Sequence, residues 1–288
     1  MPEGVRNWEA LLAQGRTRLE QAGIDEAPIK IRWVAAHLLG CGLLGVLRHL
    51  AEVPAPGAVH AFEAALVRLE TDEPVQYVIG ETDFMGVRIH CDARALIPRP
   101  ETEVLVGCAE AFLRDRPGTP VVADVCTGTG CIACALAQRI PRARLLATDL
   151  SPGALALARQ NARALGVSVE FIQTDLLDGI AEASVDLVVS NPPYVATAAC
   201  GRLPRTVRDF EPRLALDGGS DGLRVISRLV EEAARVLTSG GRFMMEIGDD
   251  QADAALEILC TTTPFKIQTL RSDFAGRARV ATAERTKR

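Results

Sequence analysis

The sequence predicts an α/β fold, a mostly parallel sheet covered on both faces, carried behind a small helical bundle. Three observations predict it. From about residue 118 onward, short apolar runs alternate with helix-length amphipathic segments, the pattern of βαβ units. The first of these runs leads directly into a glycine-rich turn, Thr127-Gly128-Thr129-Gly130, with a helix-like segment behind it. Residues 7 to about 72, by contrast, show only helical spacing.

The elements follow in order. Trp8, Leu11, Leu12 and Leu19 fall on one helical face, and Ile31, Val34, Ala35, Leu38 and Leu39 on a second. Phe62, Leu66 and Leu69 suggest a third, after the Pro54-Ala55-Pro56-Gly57 break. Val87, Ile89 and Cys91 then alternate with Arg88 and His90, so Gln76 to Ala95 is expected to form a β-hairpin. Pro98 and Pro100 keep the chain extended, and Glu101, Thr102 and Glu103 open a helix with acids at its positive end.

The sheet is expected to use Val121–Val125, Arg144–Thr148, Val169–Ile172, Val185–Ser190 and Arg242–Ile247. Two closing strands fall near Ile267–Leu270 and Ala278–Ala283. Helices are expected over Cys131–Arg139, after the Ser151-Pro152 cap, and over Leu223–Leu237 and Asp250–Leu259. The expected division is a helical substrate-binding domain over 1–73, a hairpin linker over 74–100 and a catalytic domain over 101–288.

Composition limits the function classes. Apolar residues make up 48% of 288, enough for a substantial core. No apolar stretch approaches the roughly 18–20 residues that span a bilayer, and residues 1–7 lack a secretory pattern. A cytoplasmic protein without membrane contact is expected. The eight cysteines read as small buried side chains rather than a disulfide framework. Cys131-x-x-Cys134 has neither a second such pair nor a histidine at ligand spacing, so no metal is expected. A net charge of −5 and 4% aromatics argue against direct nucleic-acid binding.

Two motifs carry the chemistry. The glycine turn, Cys126 to Gly130, lets the backbone bend tightly and a ligand come close. Alone it is a weak signal. Asp149, about twenty residues on, can accept hydrogen bonds from both hydroxyls of a ribose. Asp175, read as ending the third strand, can meet an adenine amino group, with Leu176 lying on the ring. The turn lacks the full G-x-G-x-x-G spacing and a Walker lysine, which disfavours NAD(P) and ATP. A nucleoside without phosphates, S-adenosylmethionine, fits better in a Rossmann-like sheet.

The second motif is Asn191-Pro192-Pro193-Tyr194 after an apolar strand. Paired prolines end the strand in a stiff turn poor in N–H donors. The Asn191 side-chain amide and a free backbone carbonyl beside it can grip a flat carboxamide or amidine edge, one donating and one accepting, with Tyr194 as an aromatic wall. An Asx-capped turn is the plainer reading of the same four residues.

Together these motifs resemble the amino-methyltransferases. Glu73-Pro74-Val75-Gln76-Tyr77, Ile97-Pro98-Arg99-Pro100-Glu101-Thr102-Glu103, Glu211-Pro212, Gly218-Gly219 with Asp221-Gly222, Glu246-Ile247-Gly248 and Asp273-Phe274-Ala275-Gly276-Arg277 narrow the likeness. The chain resembles the HemK-type release-factor glutamine N5-methyltransferases over nearly its whole length. The resemblance implies methylation of the glutamine in the Gly-Gly-Gln loop of class I peptide chain release factors, with S-adenosyl-L-methionine as cofactor. It puts the cofactor loop on Cys126, Thr127, Gly128, Thr129 and Gly130, the ribose acid on Asp149 and the adenine contacts on Asp175 and Leu176. The glutamine clamp falls on Asn191, Pro192, Pro193 and Tyr194. Where the family usually has glycine this chain has Cys126, so either that position has an ordinary φ or cofactor affinity falls. Rival readings are an N6-adenine nucleic-acid methyltransferase, a glutamine methyltransferase of a ribosomal protein, and an inactive adaptor.

Overall fold

The computed structural model describes residues 7–262 and 264–286. It divides into two compact units. One takes in the described residues up to Glu81 together with Pro204–Phe210; the other takes in Thr82–Leu203 and the chain from Glu211 on.

The first unit is built on helices α1 (Trp8–Gln21), α2 (Ala27–Leu39) and α3 (Pro56–Leu69), followed by a short helical turn α4 (Val75–Ile79). Asn7 caps α1 by accepting from Ala10 N at 2.9 Å. The expected apolar faces meet in one core of Trp8, Leu11, Leu19, Ile31, Val34, Phe62, Leu66 and Leu69, all buried. Trp8 meets Phe62 edge-on, with centroids 6.4 Å apart. The hairpin is shorter than the alternation suggested. Val75 and Tyr77 are buried on the helical turn α4, and Gly80, at φ 82°, ends it. Only β1 (Glu81–Phe84) and β2 (Val87–His90) form the hairpin.

The second unit holds α5 (Thr102–Arg114), β3 (Val121–Val125), α6 (Cys131–Arg139), β4 (Arg144–Asp149), α7 (Pro152–Leu165), β5 (Glu170–Gln173) and β6 (Val185–Ser190). Then come β7 (Val195–Ala196) and α8 (Thr197–Cys200). A short turn α9 (Arg205–Arg208) lies in the segment grouped with the first unit. The chain closes with β8 (Asp217–Gly219), α10 (Arg224–Val236), β9 (Leu237–Glu246), α11 (Ala252–Thr261), β10 (Phe265–Ser272) and β11 (Ala278–Arg285). The main sheet runs β10-β11-β9-β6-β3-β4-β5. Its five strands from β9 to β5 are parallel, and β11 and β10 close it antiparallel.

The central strands β3 and β6 are buried on both faces, as covered parallel strands are, whereas the edge strand β5 is not. Ala123 and Val125 join a core with Ile226, Leu229 and Val230 of α10 and Ala255 and Leu259 of α11. Their neighbour Val122 is fully buried outside that cluster, on the side of α5, α6 and α7. From β3 the chain steps outward to β4 and β5, then returns to β6 on the other flank of β3. The order therefore reverses between β3 and β6, where open α/β sheets bind ligands beyond the carboxyl ends of their strands.

Candidate active site

Both sequence motifs lie at that reversal. Val125, the last residue of β3, is in register with Ser190, the last of β6. The Ser190 hydroxyl donates to Val125 O at 2.7 Å and pins the two ends together. The glycine turn leaves one strand and the diproline corner leaves the other. They open on a cavity of about 300 Å³ lined by Thr127 to Thr129, Asp149, Leu176 and Asn191, among others.

The glycine turn takes left-handed φ at three alternate positions, 58° at Cys126, 54° at Gly128 and 78° at Gly130. Gly130 must be glycine: an added Cβ would lie 2.9 Å from Ala158 Cβ on α7. Cys126, where the resemblance leads to an expectation of glycine, does not have an ordinary φ. The thiol compensates by packing partly against the core beneath the sheet's end, and burial pushes its pKa well up.

Asp149 holds the turn in shape. Its Oδ2 accepts from Gly128 N at 2.9 Å and its Oδ1 from Ser151 N at 2.8 Å. Burial raises its pKa, and these backbone donors oppose the rise. A carboxylate offers about four acceptor sites, so capacity remains toward the cavity it lines. Asp124, within β3, supports the turn from below. Its Oδ2 accepts from Thr127 Oγ1 at 2.6 Å and from Ala133 N in the first turn of α6 at 3.1 Å. The other oxygen is buried with no partner, and burial raises the pKa to about 7. The sequence reading gave this residue no role.

Asp175 does not end a strand. β5 stops at Gln173, because the chain turns at once: Thr174 Oγ1 donates to Asp178 O and Asp178 N to Asp175 O. Asp175 and Leu176 still line the cavity, with Leu176 at φ 50° and buried. At its rim Asp175 pairs with Arg228 at 2.9 Å, both half-exposed.

At the diproline corner, Asn191 and Pro193 line the cavity, whereas Pro192 and Tyr194 are not among the lining residues. The aromatic wall expected of Tyr194 takes another form. A buried acceptor draws the phenol inward: its hydroxyl donates to Glu246 Oε1 at 3.2 Å, and its ring packs against the core. Gln251 Nε2 donates to Tyr194 O at 2.9 Å, while its Oε1 accepts from Gly248 N at 3.0 Å. Gly218 and Gly222 press on the same corner. A Cβ on Gly218 would lie 2.7 Å from Pro193 O, and one on Gly222 2.3 Å from Tyr194 O.

Two further ties escaped the sequence reading, although their residues stood in the quoted motifs. Glu211 accepts from Ile97 N at 3.1 Å and pairs with Arg99, fixing a segment that lines the cavity. Thr102 Oγ1 donates to Glu246 Oε2 at 2.6 Å and accepts from Asn191 Nδ2 at 3.1 Å. Spacing along the chain gives no sign of either, since the partners are 144 and 89 residues apart. Among the described residues no cluster of His, Cys, Asp or Glu could hold a metal, and no helix is long and apolar enough to cross a membrane.

A parallel sheet with two antiparallel closing strands, carrying a glycine turn and an Asn-Pro-Pro-Tyr corner at its reversal, defines a methyltransferase. In agreement, the family model described as methyltransferase small domain matches residues 102–205, and that described as PrmC N-terminal domain matches 10–80. A methyltransferase from Pyrococcus furiosus superposes with a TM-score of 0.53 at 16% identity, over 70% of this chain and 90% of its own; at that identity the likeness speaks for the fold alone.

The chain belongs to the release factor glutamine methyltransferase family. The relative of that name from Deinococcus radiodurans is 40% identical over 96% of this chain and 97% of its own length. The one from Moorella thermoacetica is 39% identical over 95% and 97%.

Proposed function

We propose that this protein methylates the side-chain amide nitrogen, N5, of the glutamine in the Gly-Gly-Gln loop of class I peptide chain release factors. The cofactor is S-adenosyl-L-methionine and the compartment the cytoplasm. One observation carries the reading: the glycine turn and the diproline corner leave neighbouring strands and line one cavity. Family membership and the two full-length relatives support the substrate class.

The residues fit the cofactor. Asp149 keeps acceptor capacity for ribose hydroxyls, Leu176 offers an apolar surface, and the turn from Cys126 to Gly130 leaves room for close approach. When bound, the cofactor supplies an electrophilic methyl group on a sulfonium.

The rest falls to the corner. An amide nitrogen is a poor nucleophile because its lone pair is delocalised into the carbonyl. Asn191 Oδ1 accepts one amide hydrogen, and the other goes to the Pro192 carbonyl, which belongs to the peptide unit leading into the cavity-lining Pro193. Both acceptors stabilise positive charge as it develops on nitrogen, and they orient the lone pair. No general base is required, since the methylated amide cation is acidic enough to lose its proton to water. Tyr194 acts from behind the corner, holding it through Glu246 and Gln251.

The test is mass spectrometry of purified release factor incubated with the protein and S-adenosyl-L-methionine, beside an adenine-containing DNA duplex. A single added methyl on the Gly-Gly-Gln glutamine is the expected result; methyl transfer to the duplex alone would overturn the reading. Asn191→Ala is expected to lower kcat by about 10²–10³ while calorimetric titration shows cofactor binding intact. Asp149→Ala is expected to weaken that binding first.

A further inference from the structure

The polarity of one buried hydrogen-bond chain is set at its far end. Glu246, closing β9, is 1% exposed. Both of its carboxylate oxygens accept, one from Thr102 Oγ1 and one from the Tyr194 hydroxyl. Burial raises the pKa of Glu246, while the Thr102 hydrogen bond, Arg279 and the Tyr194 hydrogen bond oppose the rise; as a carboxylate it has no hydrogen to give, so Thr102 directs its single hydroxyl hydrogen at Glu246. Only lone pairs remain on Thr102 Oγ1 for Asn191. The side-chain atom of Asn191 beside Thr102 is therefore its NH₂ nitrogen, at 3.1 Å.

We propose that Thr102 and Glu246 are positioning residues that lock the Asn191 amide with its oxygen free for the substrate. The proposal rests on the reading that Asn191 receives an amide N–H. Flipped by 180°, Asn191 would meet that N–H with its own NH₂, two donors face to face. The carboxylate also does more than orient. A hydroxyl that donates to an anion is a stronger acceptor, and an amide that donates to it carries more negative charge on its oxygen. Asn191 Oδ1 thus becomes a better partner for a nitrogen gaining positive charge. Thr102 is itself 2% exposed, and its bond to Glu246 is buried, so water does not compete for that link. The other charged or titratable groups acting on Glu246 are Arg279 of β11, Tyr194 after β6 and Glu101 ahead of α5.

Thr102→Val keeps the side chain's shape and removes the hydroxyl. Its kcat on release factor is expected to fall about 10–100-fold, the scale on which outer partners of a functional side chain act. Cofactor affinity by calorimetry is expected to stay near wild type, the melting temperature to fall because a buried Glu246 oxygen loses its donor, and Thr102→Ser to restore both the melting temperature and most of the rate. A second readout needs no turnover and no variant. In ¹⁵N NMR of the wild-type protein, one Asn191 side-chain proton should be shifted downfield and exchange slowly. Full activity in Thr102→Val, or an Asn191 NH₂ exchanging like an exposed amide, would overturn the proposal. A protected Asn191 NH₂ in a protein that leaves glutamine unmethylated would instead sink the functional reading and leave the orientation standing.

Discussion

Two residues near the glycine turn hold unfavourable states that their surroundings maintain. Cys126 sits in the left-handed region, which costs a residue bearing a Cβ about 1–2 kcal/mol, while its thiol gains packing against the core. Cys126→Ala keeps the strain and loses the packing; Cys126→Gly loses both. The glycine variant is therefore expected to be the more stable of the two by about 1 kcal/mol, read from urea midpoints. Asp124 has a folded-state pKa of about 7 against roughly 3.9 when unfolded. Between these values the folded protein binds more protons than the unfolded chain. This contribution is thus fully present below about pH 4 and is lost as pH rises through about 7. Asp124→Asn is expected to flatten that part of a stability–pH curve measured by chemical denaturation. Unchanged slopes would show that Asp124 titrates normally. Neither state is legible in the sequence, because φ and desolvation both come from neighbours distant along the chain.

At the scale of elements, the corner after β6 is defined as much by what presses on it as by its prolines. Gly222 combines φ 77° with a Cβ position 2.3 Å from Tyr194 O. Gly222→Ala must displace backbone, and it is expected to cost more than about 2 kcal/mol and to abolish most turnover. Gly166, which ends α7 at φ 66° with nothing within 4 Å, is the control; Gly166→Ala is expected to cost about 1 kcal/mol and leave turnover intact. Equal losses for the two would remove the argument from close packing. The strands themselves were legible, because apolar runs such as Val185–Ser190 can only be buried. Local turns were less so. Gln76 to Ile79, expected to open the hairpin, instead belong to the helical turn Val75–Ile79 that Gly80 ends. The pairing of β7 with β8, two and three residues long, has too little pattern to detect.

Each unit has a core of its own, in one gathered around Phe62 and Leu66 and in the other including the cluster around Phe243 and Leu229. With a buried core in each unit, calorimetric unfolding is expected to depart from a single two-state transition. Phe62→Ala, removing a fully buried ring, is expected to cost about 3–5 kcal/mol and to shift only the part of the transition that reports the helical unit. A uniform shift of one sharp peak would contradict this. At this scale the two motifs converge: Asp149, Asn191 and the glycine turn line one cavity because sheet order brings the ends of β3, β4 and β6 together. Hidden from the sequence were the supports, Thr102, Glu246, Glu211 and Asp124, whose roles depend on partners in other strands and helices. The bonds from Gly128 and Ser151 to Asp149 are made by the polypeptide alone. Folding has thus already met the ordering cost of that loop, and an adenosyl ligand arriving there would find its receptor rigid. Its affinity would then be governed by the contacts it makes, with little entropy left to lose.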